Sequence, residues 1–173
     1  GMPVNMVSHA HGQGYSDLHF VIPETIEQVD FDKGPYYAKQ GNFNTAGYAN
    51  FFTKRRLSES MFKVEGGQFG TFRTVGLFNL LKAQKTEDPS LYLATEFFRT
   101  DGYFESPQYF NRFNSLLKYH QKLNDTQTLE LSFSGFTSSW DASGQIPQRA
   151  VDNGTITRFG AIDDTEGGET SRI

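Results

Sequence analysis

Between residues 58 and 136 apolar and polar side chains alternate with period two, the repeat of a β-strand whose two faces meet different surroundings. Residues 61–68 set Phe62 and Val64 against Lys63 and Glu65, then stop at Gly66-Gly67. Residues 72–84 read as a long strand whose alternation blurs at Leu80-Leu81. In 91–99, Leu91, Leu93 and Phe97 oppose Tyr92, Ala94 and Glu96; in 112–123, Phe113, Leu117 and Tyr119 oppose Asn114, Lys118 and His120. In 129–136, Leu129, Leu131 and Phe133 oppose Glu130, Ser132 and Ser134. Turns are expected at 69–71, 86–89 and Asn124-Asp125, and a loop over 101–111. The pattern predicts an antiparallel meander of about five strands. Each strand of about 9–13 residues is long enough to cross a bilayer at a tilt. On the polar face, Glu96, Lys118 and Glu130 point to an aqueous lumen if the sheet is part of a barrel, or to solvent if it is not.

The flanks follow other rules. Residues 2–25 form a polar, His-containing stretch, with a short strand or turn at Val4-Asn5, a loop over 8–14 and a short helix or strand over 17–22. A β-type run, 26–31, enters the Lys33-Gly34-Pro35 turn; Gly41, Gly47 and the aromatic run 48–52 follow, and the run stops at Lys54-Arg55-Arg56. Glycine supplies backbone conformations closed to other residues and proline fixes φ, so so many dictated positions imply a compact piece packed inside something else. Residues 137–173 are rich in Gly, Asp, Ser and Thr and read as one long loop. Short connections then fall at one end of the meander and long ones at the other, with the short 69–71 turn as the exception.

Composition sharpens the choice. Aromatic residues make up 15% of the chain, with 17 Phe and 8 Tyr, yet mean hydropathy is only −0.54. Many rings in a polar chain is what alternating lipid-facing and lumen-facing strands produce; a soluble all-β domain with an aromatic core gives it too. A net charge of −4 provides no basic face for nucleic acid, and the absence of cysteine removes disulfides and thiol chemistry. No run of 18 apolar residues is present and no secretory leader opens the chain, which reads as a fragment stopping in a loop where a further strand is due.

Candidate chemistry is sparse. His9 and His11, two apart with Asp17 or His19 nearby, are weak as metal ligands, and no metal site is assigned. No phosphate loop, nucleophile elbow or cysteine is present, so neither enzymatic activity nor a cofactor is expected.

The stretch 26–54 resembles the end of the plug domain of TonB-dependent outer-membrane receptors. The resemblance is carried by Lys33-Gly34-Pro35, Tyr37 with Gly41, Ala46-Gly47, and Asn50 with Thr53. The approach through Pro23-Glu24 and Ile26-Glu27 is similar to the family as well, and residues 146–168 resemble an extracellular loop of one of its branches. The resemblance implies the later part of a plug over 1–56, the first barrel strands over 57–136 and an extracellular-type loop over 137–173. In such receptors the plug fills a barrel of about 22 strands, and the inner-membrane protein TonB supplies energy through a coupling segment this chain lacks. The implied function is uptake of a siderophore, metal chelate or similar small solute across the bacterial outer membrane, with bilayer lipid around the strands. The resemblance also places His9, His11 and Gln13 in a ligand-facing plug loop and makes Trp140 and Asp141 ligand contacts. It sets Lys33 where many members carry Arg, and Arg55 and Arg56 at the plug–barrel junction near the periplasmic rim. Glu96 and Glu130 become lumen carboxylates for plug–barrel contacts. Isolated, such an open sheet is expected to self-associate. The alternative is a soluble β-rich surface module, carbohydrate-binding or adhesin-like.

Overall fold

The computed structural model describes residues 3–9, 12–42 and 44–173, and the chain divides into two compact units, Gly1–Arg55 and Arg56–Ile173. The chain as a whole is mainly β, and every strand pair is antiparallel.

In the first unit a 3-10 turn, Pro23–Thr25, begins with the proline that presets its φ. Thr25 is buried and its hydroxyl donates to the Ile22 carbonyl at 2.7 Å. Strand β1, Ile26–Lys33, follows and pairs with β2, Gly47–Thr53. The register places Val29 opposite Phe51, Asp30 opposite Asn50 and Lys33 opposite Gly47. Gly47 has φ 148°, and a Cβ there would stand 2.3 Å from the Asp32 carbonyl oxygen, so only glycine admits this approach. The far end of the hairpin is tied back, since the amide of Lys54 donates to the Thr25 carbonyl at 2.8 Å and its ammonium to the Glu24 carbonyl at 2.9 Å.

The second unit is one six-stranded sheet with its strands in chain order. They are β3 (Met61–Gly66), β4 (Phe72–Leu81), β5 (Ser90–Thr100), β6 (Phe110–Lys122), β7 (Thr128–Asp141) and β8 (Gly167–Arg172). The sheet is open, with β3 and β8 at its edges. The antiparallel meander is as expected, but its extent differs in three places. Strand β4 ends at Leu81 instead of running to 84, because the Asp88 carboxylate draws the amides of Gln84 and Lys85 into a turn at 2.9 and 2.8 Å. The ladder also slips between Asn79 and Leu81, a bulge that accounts for the blurred alternation there. Strand β7 continues past Phe136 to Asp141, so the loop expected over 137–173 shrinks to 142–166. Residues 167–172 form a sixth strand where about five were expected. Thr137-Ser138-Ser139 and Gly167-Gly168-Glu169 have no apolar alternation; they are strand because the ladder hydrogen-bonds them.

The two faces of this sheet have opposite character. One face exposes large apolar side chains, among them Phe62 at 69%, Phe113 at 46%, Leu131 at 57% and Phe133 at 61%. The other buries polar ones: Ser90, Glu96, Asn114, Lys118, His120 and Ser138, beside Val75, Tyr92, Ala94 and Phe136. Glu96 sits at the centre of the polar face with 1% exposure. Arg73 of β4 reaches one of its oxygens through Nε at 2.7 Å and Nη2 at 2.6 Å. Arg112 of β6 reaches the other through Nε at 3.1 Å and Nη2 at 2.7 Å, and Asn114 Nδ2 adds a bond at 2.9 Å. Arg73 also bridges to Glu65 of β3 at 2.6 Å, and Glu65 to Lys63 at 3.0 Å.

A buried carboxylate that links two guanidinium groups is costly to remove, because the cations lose their counter-charge. Glu96→Ala is expected to destabilise the second unit by about 3–5 kcal/mol. Asp125→Ala, which removes a 97%-exposed partner of Lys122, is expected to cost less than half as much. Denaturant titration of the refolded chain compares the two, and equal costs would refute the central role given to Glu96.

Candidate functional site

In the first unit the motif positions build one hairpin end. The amide of Gly34, at φ 88°, donates to the Ala46 carbonyl at 2.7 Å and closes the loop that Pro35 begins. A 3-10 turn over Ala38–Gln40 ends at Gly41, whose φ of 77° favours glycine. Gln40 Oε1 then accepts from Asn50 Nδ2 at 3.2 Å, and Asn44 Nδ2 donates to the Tyr37 carbonyl at 3.1 Å. The Tyr37 hydroxyl donates to Asp32, and that of Tyr48 to Asp30 at 3.3 Å, while the two rings meet edge to face at 5.2 Å. The bond from Tyr37 holds the Asp32 carboxyl below its ordinary range, helped by the Lys33 amide, and the same bond raises the Tyr37 phenol. Lys33 is exposed, and Thr53 stands opposite Ile26 at the start of the ladder.

The remaining predicted residues fall in separate places. His9 stacks on Tyr15 at 4.3 Å in a loop closed by bonds between Met6 and Tyr15 and between Gly14 and Met6; Gln13 is exposed on it, and His11 lies outside the described residues. Among the described residues no three His, Asp or Glu side chains gather as a metal site. Arg55 closes the first unit, whereas Arg56 opens the second and forks onto the carbonyls of Lys85 and Thr86 at 3.2 and 2.7 Å. The partners described for Glu96 and Glu130 belong to the sheet itself: Arg73, Arg112 and Asn114 for the first, Lys118 at 2.9 Å for the second. No local pattern identifies those cations, since the ladder register alone puts Arg73 and Arg112 beside Glu96.

Trp140 and Asp141 are brought together with residues that the sequence reading passed over. The connections 67–71, 101–109 and 142–166 meet at one end of the sheet and are stitched by backbone bonds. The Asp101 amide donates to Phe69, that of Gln108 to Asp101 and that of Asp141 to Gln108, at 2.8, 2.7 and 2.7 Å. Rings join them as well: Tyr103 stacks on Phe104 at 4.5 Å and meets Phe69 and Phe159 edge-on at 6.4 and 5.8 Å. Phe69 and Tyr109, at φ 58° and 41°, are the non-glycine residues held in the left-handed region among those described, and both rings are exposed. Beside Tyr109 lies an open depression of about 490 Å³ lined by Asn111, Trp140, Asp141, Thr165 and Glu169. Gly167 and Gly168 let β8 approach there: a Cβ on the first would come 2.5 Å from the Trp140 carbonyl oxygen, and one on the second 3.0 Å from its ring. Strained, displayed aromatic residues beside free carboxylates can hold a small ligand. Comparison with protein-family models, with curated proteins and with solved structures gave no match.

Because the Asp32 carboxyl is depressed in the folded hairpin, its bond contributes stability above the unfolded carboxyl's titration range and loses it as pH falls through the depressed value. Tyr37→Phe is expected to move the Asp32 midpoint upward toward the ordinary aspartate range, read by carboxyl carbon shifts in an NMR pH titration. An unchanged midpoint would remove the Tyr37–Asp32 bond from the account.

Proposed function

We propose that this chain is part of a TonB-dependent receptor of the bacterial outer membrane, comprising the later part of the plug and the first strands of the barrel, and that it serves solute uptake and not catalysis. The carrying observation is the inverted polarity of the six-stranded sheet. A sheet in water buries its apolar face, yet here the buried positions hold Glu96, Asn114, Lys118 and His120 while Phe62, Leu131 and Phe133 stand exposed. Lipid outside and an aqueous or protein-filled lumen inside make both choices favourable at once. Strands β5, β6 and β7, of 11, 13 and 14 residues, meet the length of about 9–11 residues that a tilted crossing needs. The connections agree in sense: 123–127 is short, and the 142–166 connection at the opposite end is the longest.

The ligand is a siderophore, metal chelate or similar small solute; Trp140 and Asp141 at the loop end of the second unit are candidate contacts, and the His9–Gln13 loop of the first unit is a separate candidate. TonB acts on the full-length receptor, and lipid covers the apolar face. Taken alone in water the open sheet covers that face by self-association.

Lipid contact is testable residue by residue. In a Trp140→Phe background, Phe133→Trp and Ser132→Trp place one fluorophore on each face of β7. After refolding from urea into vesicles of phosphatidylcholine with brominated acyl chains, the Phe133→Trp chain is expected to emit to the blue and be quenched, and the Ser132→Trp chain to be neither. Equal quenching of both, or a monodisperse monomer in buffer without detergent, would overturn the proposal.

A further inference from the structure

We infer that the free half of β7, Thr128–Ser134, pairs antiparallel with the same segment of a second copy of this chain, in a register centred on Leu131. The inference stands on the strand edge alone and does not need lipid on the apolar face.

One side of β7 carries an unfinished ladder. Towards β6 the strand is paired from Thr128 to Ser139 without a break in register. Towards β8 it is paired only from Phe136 to Asp141, so among the described residues no strand meets 128–135 on that side. Alternate residues there turn both N–H and C=O to the open edge, and Thr128 through Phe133 are all exposed. Natural edges are blunted by Lys, Pro, a bulge or shortness. This segment has no Lys, Pro or bulge, and its one charge, Glu130, is engaged by Lys118 at 2.9 Å. The opposite edge of the sheet, β3, is six residues long and carries Lys63 and Glu65. A strand laid on the free half of β7 continues the line of β8, whose last ladder pair joins Arg172 to Phe136.

Parity decides which strand fits. Leu129, Leu131 and Phe133 lie on the apolar face, and Thr128, Glu130, Ser132 and Ser134 on the polar one. An added strand must keep that alternation. The segment does so for itself. About a two-fold axis at Leu131, that residue faces its own copy, Leu129 faces Phe133, Glu130 faces Ser132 and Thr128 faces Ser134. No like charges oppose one another, and each Glu130 gains a hydroxyl donor. The pairing stops short of Gly135, which the Arg172 carbonyl of β8 already approaches. A register centred on Ser132 would instead drive Leu129 of the copy into the end of β8. Because the contact is isologous, it closes as a dimer and does not grow into a fibre.

The chain has no cysteine, so introduced ones read the register directly. In a neutral detergent, which covers the apolar face and leaves strand edges free, the refolded chain is expected to sediment as a dimer. Leu131→Cys is expected to cross-link to itself on oxidation. Thr128→Cys and Ser134→Cys are expected to cross-link when mixed and neither alone, since in this register each stands about 20 Å from its own copy. In chains with unchanged circular dichroism, Ser132→Glu, which opposes Glu130 of the copy, is expected to weaken the dimer about fivefold or more, and Ser132→Lys to tighten it. A monomer in detergent, cross-linking through Ser132→Cys or through Val64→Cys of β3 in place of Leu131→Cys, or equal dimer affinity of the two Ser132 variants would overturn the inference. A chain that is quenched by brominated lipid yet fails to cross-link loses this inference alone; one that cross-links but stays out of bilayers loses the receptor reading alone.

Discussion

A fully enclosed carboxylate fixes the polarity of the sheet. Glu96 gives both oxygens to groups on the neighbouring strands, Arg73 on one side and Arg112 with Asn114 on the other. All of them lie on one face because their register positions share parity, and a slip of one residue in β5 would carry the carboxylate to the opposite face. There it would stand beside Phe113 on the exposed apolar face, cut off from Arg73, Arg112 and Asn114. The interaction therefore specifies register more than it adds stability, since buried ion pairs recover little beyond the cost of removing both ions from water. Everything that depends on faces, including the exposed apolar band, follows from that choice.

The loop end depends on the same ladder. The strands deliver 67–71, 101–109 and 142–166 to one end because they alternate in direction, and three backbone bonds and a chain of rings then make one surface of them. Bonded backbone and interlocked rings restrain these loops far more than their composition implies. The short α-helix within the longest of them, Gln148–Asp152, and the Thr157–Glu105 hydrogen bond at 2.5 Å keep that segment against its neighbour.

Much of the strand pattern was legible because period-two alternation is strongest where one face is apolar, as in 91–99 and 112–123. The hairpin end around Gly34 and Gly47 was legible for a different reason: glycine and proline act through sterics that need no tertiary context. The extension of β7 and the whole of β8 were not. Thr137-Ser138-Ser139 and Gly167-Gly168-Glu169 carry no hydrophobic signal, and only pairing makes them strands. The site was legible in part. Trp140 and Asp141 stood out as rare or charged residues in a polar stretch, but Tyr109, Asn111 and Glu169 come from strands β6 and β8 or just before them. Nothing in the local sequence links residue 109 to residue 169; the ladder from β6 through β7 to β8 does.

The junction residues carry one further implication. Arg56 grips the carbonyls of Lys85 and Thr86, the Leu57 carbonyl accepts from Asn79 Nδ2 at 3.2 Å, and Ser60 Oγ accepts from the Asn79 amide at 2.9 Å. These anchors come before the first ladder bond of β3. Mechanical load applied upstream of Arg56 is thus borne first by a clamp on β4 and its following turn. The outermost strand is shielded from being peeled away, and the junction yields before the sheet unravels.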